Sequence, residues 1–260
     1  MVYTVHLSFK EFGCTPYTCI GTECTMTDPR RLARWTGLLF AVTWVTSVAA
    51  VPLYGGSGFQ AGAALAGRTS VLTAALLEVV LAVAVCGTAL TLFPLLRDAA
   101  MGGALGYVAL RTLEAGVILV GVVTILPTVA RPATTSGPGL SPDVVSALHL
   151  VHDWTFLVGP GLVNPVNAAV LAVLLLRTRL VPRFIPVLGL VGAALVGGMN
   201  VAVMFGVTKP IAVLVVPLFA WEICLAGQLV LRGIRVRPPA AAATREGQKP
   251  PSRAMLLNRE

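Results

Sequence analysis

Few ionisable residues interrupt the apolar stretches of this chain, and those that do are where chemistry can reside. Glu78, Arg111, Glu114 and Glu222 each fall inside a hydrophobic run, and an ionisable group held in hydrocarbon is costly enough that it persists for a reason. Arg111 and Glu114 are one helical turn apart. Counting about 1.5 Å per residue from the end of each run brings Arg111, Glu114 and Glu222 to a similar depth, with Glu78 nearer the outside. One arginine cannot neutralise three carboxylates, so if these groups converge, at least one glutamate must hold a proton or meet water. That is the pattern of a proton-handling site. The structural alternative is that Arg111 pairs with Glu114 or Glu78 to fix the bundle, or that its long side chain reaches back to the cytoplasmic interface.

A second set lies between residues 149 and 167. His149, Asp153, Pro160, Asn164 and Asn167 follow one another at near-whole helical turns and so share one face, with His152 one residue off it. Gly159-Pro160-Gly161 and Pro165 remove helix hydrogen bonds and permit a kink, leaving carbonyls near Leu157 and Gly161 to be satisfied by neighbours or water. Interrupted helices line solute paths in many transporters; the plainer reading is a bent helix whose asparagines bridge to its neighbours. His149, His152 and Asp153 also have metal-ligand chemistry, but no second cluster completes a site, and the expectation is no bound metal and no cofactor.

The elements that must position these groups follow from composition. Hydrophobic residues make up 56% of the chain and charged residues only 12%, about half the charge a water-soluble domain carries. Six apolar segments, at about 35–54, 71–95, 104–127, 154–176, 184–205 and 211–231, each match the ~20 residues a helix needs to cross a bilayer core. Each must be helical, because only a helix pairs its backbone groups within the segment. The expected fold is therefore an all-α membrane bundle of six spans filling residues 28–233.

Orientation comes from Lys and Arg, which stay on the cytoplasmic side of short loops. Arg30, Arg31, Arg34, Arg97, Arg177, Arg179 and Arg183 fall on one side with seven more after span six, whereas the opposite loops hold Arg68, Arg131 and Lys209. Both termini are thus expected in the cytoplasm and the protein in the plasma membrane. The net charge of +8 is explained by topology and by anionic lipid, with no nucleic-acid partner required. Ser47-Val48-Ala49 resembles a signal-peptide cleavage site, but the apolar run continues to Tyr54, longer than a signal core.

Residues 1–27 are polar and aperiodic. Met26-Thr27-Asp28-Pro29 reads as a start, with Thr27 or Asp28 capping a helix that begins at Pro29, and a mis-called start codon upstream is the expectation. Cys14, Cys19 and Cys24 recur at a spacing that matches no zinc pattern. Residues 234–260 read as a disordered basic tail. Ser141-Pro142-Asp143 reads as a helix start leading into span four. Pro217 is expected to kink span six. Gly189, Ala193 and Gly197 form a small-residue line on span five, suited to close helix packing within the bundle or to oligomerisation.

Five stretches carry a family resemblance: Arg31 to Phe40; Leu76-Leu77-Glu78-Val79; Gly106-Tyr107 through Arg111-Thr112-Leu113-Glu114; His152-Asp153-Trp154-Thr155-Phe156 with Gly159-Pro160-Gly161; and Arg183-Phe184-Ile185-Pro186-Val187-Leu188-Gly189. Over roughly residues 28–233 the chain resembles the bacterial domain-of-unknown-function 4386 family of multi-pass membrane proteins. The resemblance implies a membrane fold and adds no activity. Phosphate-binding loops, His-Glu-x-x-His and Gly-x-Ser-x-Gly are missing. Three functional classes are left: a small proton-coupled carrier using the glutamates; a non-catalytic subunit or sensor; and a membrane-embedded metal-dependent hydrolase using His149, His152 and Asp153.

Overall fold

A computed structural model describes residues 28–54, 67–130 and 139–234; Cys14, Cys19, Cys24, Arg131 and the basic tail beyond residue 234 lie outside them. Among the described residues every regular element is helical. Helix α1 (Pro29–Leu53) starts as the sequence implies: Pro29 occupies the first turn, and the Asp28 carboxylate accepts from the Arg30 backbone N–H at 2.9 Å.

Helix α2 (Arg68–Val129) has 62 residues, which if straight would run about 90 Å, three times the depth of a bilayer core. It breaks instead at Ala100, where the backbone leaves helical geometry (φ −160°, ψ 73°). The two halves fold back on each other, so that Val71 and Ala75 pack with Val122 and Ile125, and Leu81, Ala82 and Val85 with Ala115 and Ile118. A loop was expected between residues 95 and 104; helix runs up to the break from both sides, with exposed Arg97 and Asp98 paired at 3.5 Å beside it.

Helix α3 (Pro142–Val158) also starts where its sequence signals it, with Ser141 Oγ accepting from the Val144 N–H at 3.4 Å. It continues through a π-helical turn (Gly159–Val163) into α4 (Asn164–Thr178). Arg179 closes α4 with a left-handed φ of 55°. After α5 (Phe184–Met204), a 3₁₀ turn (Ala212–Val215) precedes α6 (Val216–Leu231). Pro217 therefore sits in the first turn of α6, where its missing N–H costs nothing, and introduces no mid-helix kink.

The helices form a closed ring: α1 against both α2 and α6, α2 against α3 and α4, α4 against α5, and α5 against α6. Phe40, Leu92, Tyr107, Leu171, Trp221 and Leu225 meet in its main core. The outward faces are apolar as well, with Val83 67%, Leu90 65% and Val123 67% exposed; such a surface is suited to lipid and not to water. Five helices, counting α3 through α4 as one and the halves of α2 together, are long and apolar enough to cross a membrane.

Contact between α5 and α6 rests on glycine. A Cβ on Gly189 would stand 2.7 Å from Trp221 Cε2 and Nε1, and one on Gly192 would stand 2.6 Å from the Leu218 backbone. The small-residue line on span five is thus occupied inside the chain: Gly189 lies under Trp221, and Gly197 faces Pro165. Gly189→Val is expected to destabilise the purified protein in nanodiscs by about 1–3 kcal/mol through overpacking. Gly198→Ala, on the same helix but facing open space, is expected to leave thermal unfolding unchanged or raise its midpoint slightly.

Candidate functional site

The second half of α2 carries Arg111 and Glu114 inward, each only 3% exposed. Arg111 Nη1 donates to Glu114 Oε2 at 3.0 Å. Its Nε donates to the Tyr107 hydroxyl at 3.1 Å, one turn earlier on the same face. The guanidinium also lies over the Phe40 and Tyr107 rings, at 5.6 and 5.7 Å from their centroids, a favourable arrangement once water is excluded. From α4, Asn167 Nδ2 donates to the same Glu114 oxygen at 2.6 Å. Desolvating two charges costs several kcal/mol per ion, and only added hydrogen bonds of this kind offset it.

Glu222 reaches the same place from α6. It lines a cavity of about 60 Å³ with Arg111, Glu114, Pro160, Asn164, Thr43 and Ser47, room for a few water molecules. Leu81, Val85 and Ile118 complete the wall. On the cavity wall Asn164 Oδ1 is buried with no protein partner, and so is Asn167 Oδ1 beside Glu114, which leaves acceptors at this centre without a donor from the protein.

Glu78 is elsewhere. Both its carboxylate oxygens lie 3.2 Å from His152 Nε2, and both residues are buried. The His152 ring packs at 4.8 Å from Tyr54 and 5.0 Å from Phe156. Its other nitrogen, Nδ1, stands 3.8 Å from Asp153 Oδ1. The three groups expected at one depth, Arg111, Glu114 and Glu222, form an inner centre, and Glu78, expected nearer the outside, makes a separate outer pair with His152. Leu81 lies one turn from Glu78 and Ile118 one turn from Glu114, and both belong to one apolar cluster and line the cavity.

The helix through α3 and α4 presents a different face from the one its spacing implies. His152 and Asn167 turn inward and are buried, whereas His149 and Asp153 are only partly buried. The π turn is the cause. It inserts one residue into the helical count, which rotates everything upstream by about 100° relative to a continuous α-helix. Within it the Asn164 N–H bonds to the Gly159 carbonyl. Pro165 has no N–H for the Gly161 carbonyl, and Asn200 Nδ2 of α5 supplies the missing donor at 2.8 Å.

Reasoning from sequence overlooked Tyr107, Asn200 and Tyr54. Tyr107 was accessible, standing four residues before Arg111 on the same helical face, and Asn200 is an amide inside an otherwise apolar span. His149, His152 and Asp153 do not turn toward a common point: His152 Nε2 is taken by Glu78, and His149 Nε2 is buried without a partner. Among the described residues no three His, Cys, Asp or Glu side chains are grouped to hold a metal ion.

The sequence model of a family described as a domain of unknown function (DUF4386) matches residues 35–233. No curated protein and no solved structure matches the chain.

Two substitutions report on the energetics of the site. Arg111→Met leaves Glu114 buried without its cation and is expected to cost about 3–5 kcal/mol in equilibrium unfolding from bicelles. Adding Glu114→Gln should recover at least about 1 kcal/mol, as a double-mutant cycle would resolve. Asn200→Leu orphans the Gly161 carbonyl and is expected to cost about 1–3 kcal/mol in the same assay.

Proposed function

For this chain, which belongs to the domain-of-unknown-function 4386 family, we propose the role of a small proton-coupled carrier in the plasma membrane, with six crossings and both termini in the cytoplasm. The break at Ala100 and the antiparallel halves of α2 support the even number of crossings. With that count, Arg30, Arg31, Arg34, Arg97, Arg177, Arg179, Arg183 and Arg232 gather at one end of the bundle, and Arg68 and Lys209 at the other. Such asymmetry orients the first end toward the cytoplasm.

One observation carries the carrier reading: Glu222 faces a water-sized cavity beside an ion pair already matched within itself. Arg111 is engaged by Glu114, so the centre has two carboxylates for one guanidinium. With a proton on Glu222 the centre is neutral; without it the centre holds one uncompensated negative charge. An uncompensated charge in a low-dielectric interior is unfavourable by several kcal/mol, so loss of the proton favours any arrangement that admits water or a cationic solute. Proton binding is thereby tied to which conformation the bundle adopts, the requirement for coupling proton movement to solute movement. The π turn supplies a place to bend, since its backbone bonds are already irregular and one is held by a side chain from another helix.

Proteoliposomes containing a pH-sensitive dye and an inside-negative potassium diffusion potential test this reading. Wild-type protein is expected to take up protons faster than empty liposomes, and Glu222→Gln to lower that rate about tenfold or more. Uptake by Glu222→Gln at the wild-type rate would refute the assignment.

A further inference from the structure

The buried histidine of the outer pair has a use that the inner centre does not account for. His152 presents its two ring nitrogens to two carboxylates in different surroundings. Nε2 is 3.2 Å from both oxygens of buried Glu78 on α2, and Nδ1 is 3.8 Å from Asp153, which is partly exposed. Tyr54, at the end of α1, closes the ring's face at 4.8 Å. Among the described residues His149, one turn earlier on α3, is a further titratable neighbour, with its Nε2 unpartnered. This end of the bundle also holds the end of α1 and the starts of α2 and α3. Leu81, one turn from Glu78, already lines the cavity that Glu222 faces.

We propose that His152 is a proton relay between water at this outer end and Glu78, delivering protons to the rim of the inner cavity; the proposal rests on the proton-coupled reading above. In the inward step the O–H bond of a protonated Asp153 breaks as an N–H bond forms at His152 Nδ1. The N–H bond at Nε2 then breaks as an O–H bond forms on Glu78. One proton moves, no electrons are exchanged, and the imidazole is left as its Nδ1–H tautomer; loss of that proton to water and gain of one from water at Nε2 return it to the starting form. A neutral imidazole between two carboxylates is suited to this because each nitrogen can act as donor or acceptor in turn. His152 acts on the transported proton itself, whereas Tyr54 and Phe156 fix the plane of the ring.

The full-length protein in the same proteoliposomes distinguishes the relay from a structural pair. His152→Ala is expected to slow proton uptake about tenfold or more. External imidazole should restore much of it, measured above a Glu222→Gln/His152→Ala double variant that corrects for gradient leak through imidazole itself. Asp153→Asn, at a partly exposed position, is expected to slow uptake severalfold. If Glu222→Gln blocks uptake while His152→Ala and Asp153→Asn run at the wild-type rate, the relay is overturned and the carrier reading stands. If His152→Ala is slow but imidazole does not restore it, the residue is structural and the relay is equally overturned. Should His152→Ala fail to fold, Asp153→Asn decides alone, wild-type uptake counting against the relay. Glu222→Gln at the wild-type rate removes the carrier reading and the relay together.

Discussion

Placing a guanidinium and a carboxylate in the interior of an apolar bundle is the constraint on which much of this structure turns. Arg111 and Glu114 attract each other strongly at 3.0 Å, but the attraction does not by itself offset the desolvation of both charges. The remaining donors and acceptors must come from other residues, and they do: Tyr107 from the same helix, the Phe40 face from α1, and the Asn167 amide from α4. Each of these holds a helix at a set rotation. The ring of helices is thereby keyed at its centre by polar contacts, while its packing elsewhere is carried by apolar side chains and by the close approach of α5 and α6 at Gly189 and Gly192.

The helix that runs from α3 into α4 answers two demands at once. Its lower part must direct Asn167 toward Glu114, and its upper part must direct His152 toward Glu78. A continuous α-helix would align Asn167 with Asp153 and His149; the π turn at Gly159–Val163 adds the residue that brings His152 round instead. Proline and glycine make that irregularity tolerable, since Pro160 and Pro165 remove donors and the glycines relieve crowding. Asn200 reaches across from α5 to satisfy the Gly161 carbonyl, for which Pro165 has no N–H. The same irregular turn separates the outer pair from the inner centre, so any bending there would move His152 relative to Asn167.

Much of the fold was legible because apolar length and helix-start chemistry are local. The starts at Pro29 and Pro142 follow from Asp28 and Ser141, and the family resemblance read from runs such as Arg111-Thr112-Leu113-Glu114 agrees with the family match over residues 35–233. The inner centre was partly legible as well, since depth along a helix can be counted and Arg111 and Glu114 are one turn apart. The partner of Glu78 was not, because depth says nothing about which way a side chain faces or what stands beside it. Nor was the rotation of His152, for a π turn changes helical phase without any change in the apolar pattern. The turn between spans two and three was legible, because Arg97 and Asp98 interrupt the apolar run; that helix continues up to a break at the single residue Ala100 was not, since apolar length does not show where between two spans the backbone leaves helical geometry.

On the proposed function Glu114 is an acid held for stability and Glu222 one held for another purpose, and unfolding of the single glutamine variants in nanodiscs separates the two most directly. Glu114→Gln removes the anion that Arg111 and Asn167 were arranged around and should lower the unfolding midpoint. Glu222→Gln removes a carboxylate that has no cation of its own and should leave the midpoint unchanged or raise it. An equal loss of stability in both variants would contradict the account, since Glu222 would then be one more member of the structural ion pair.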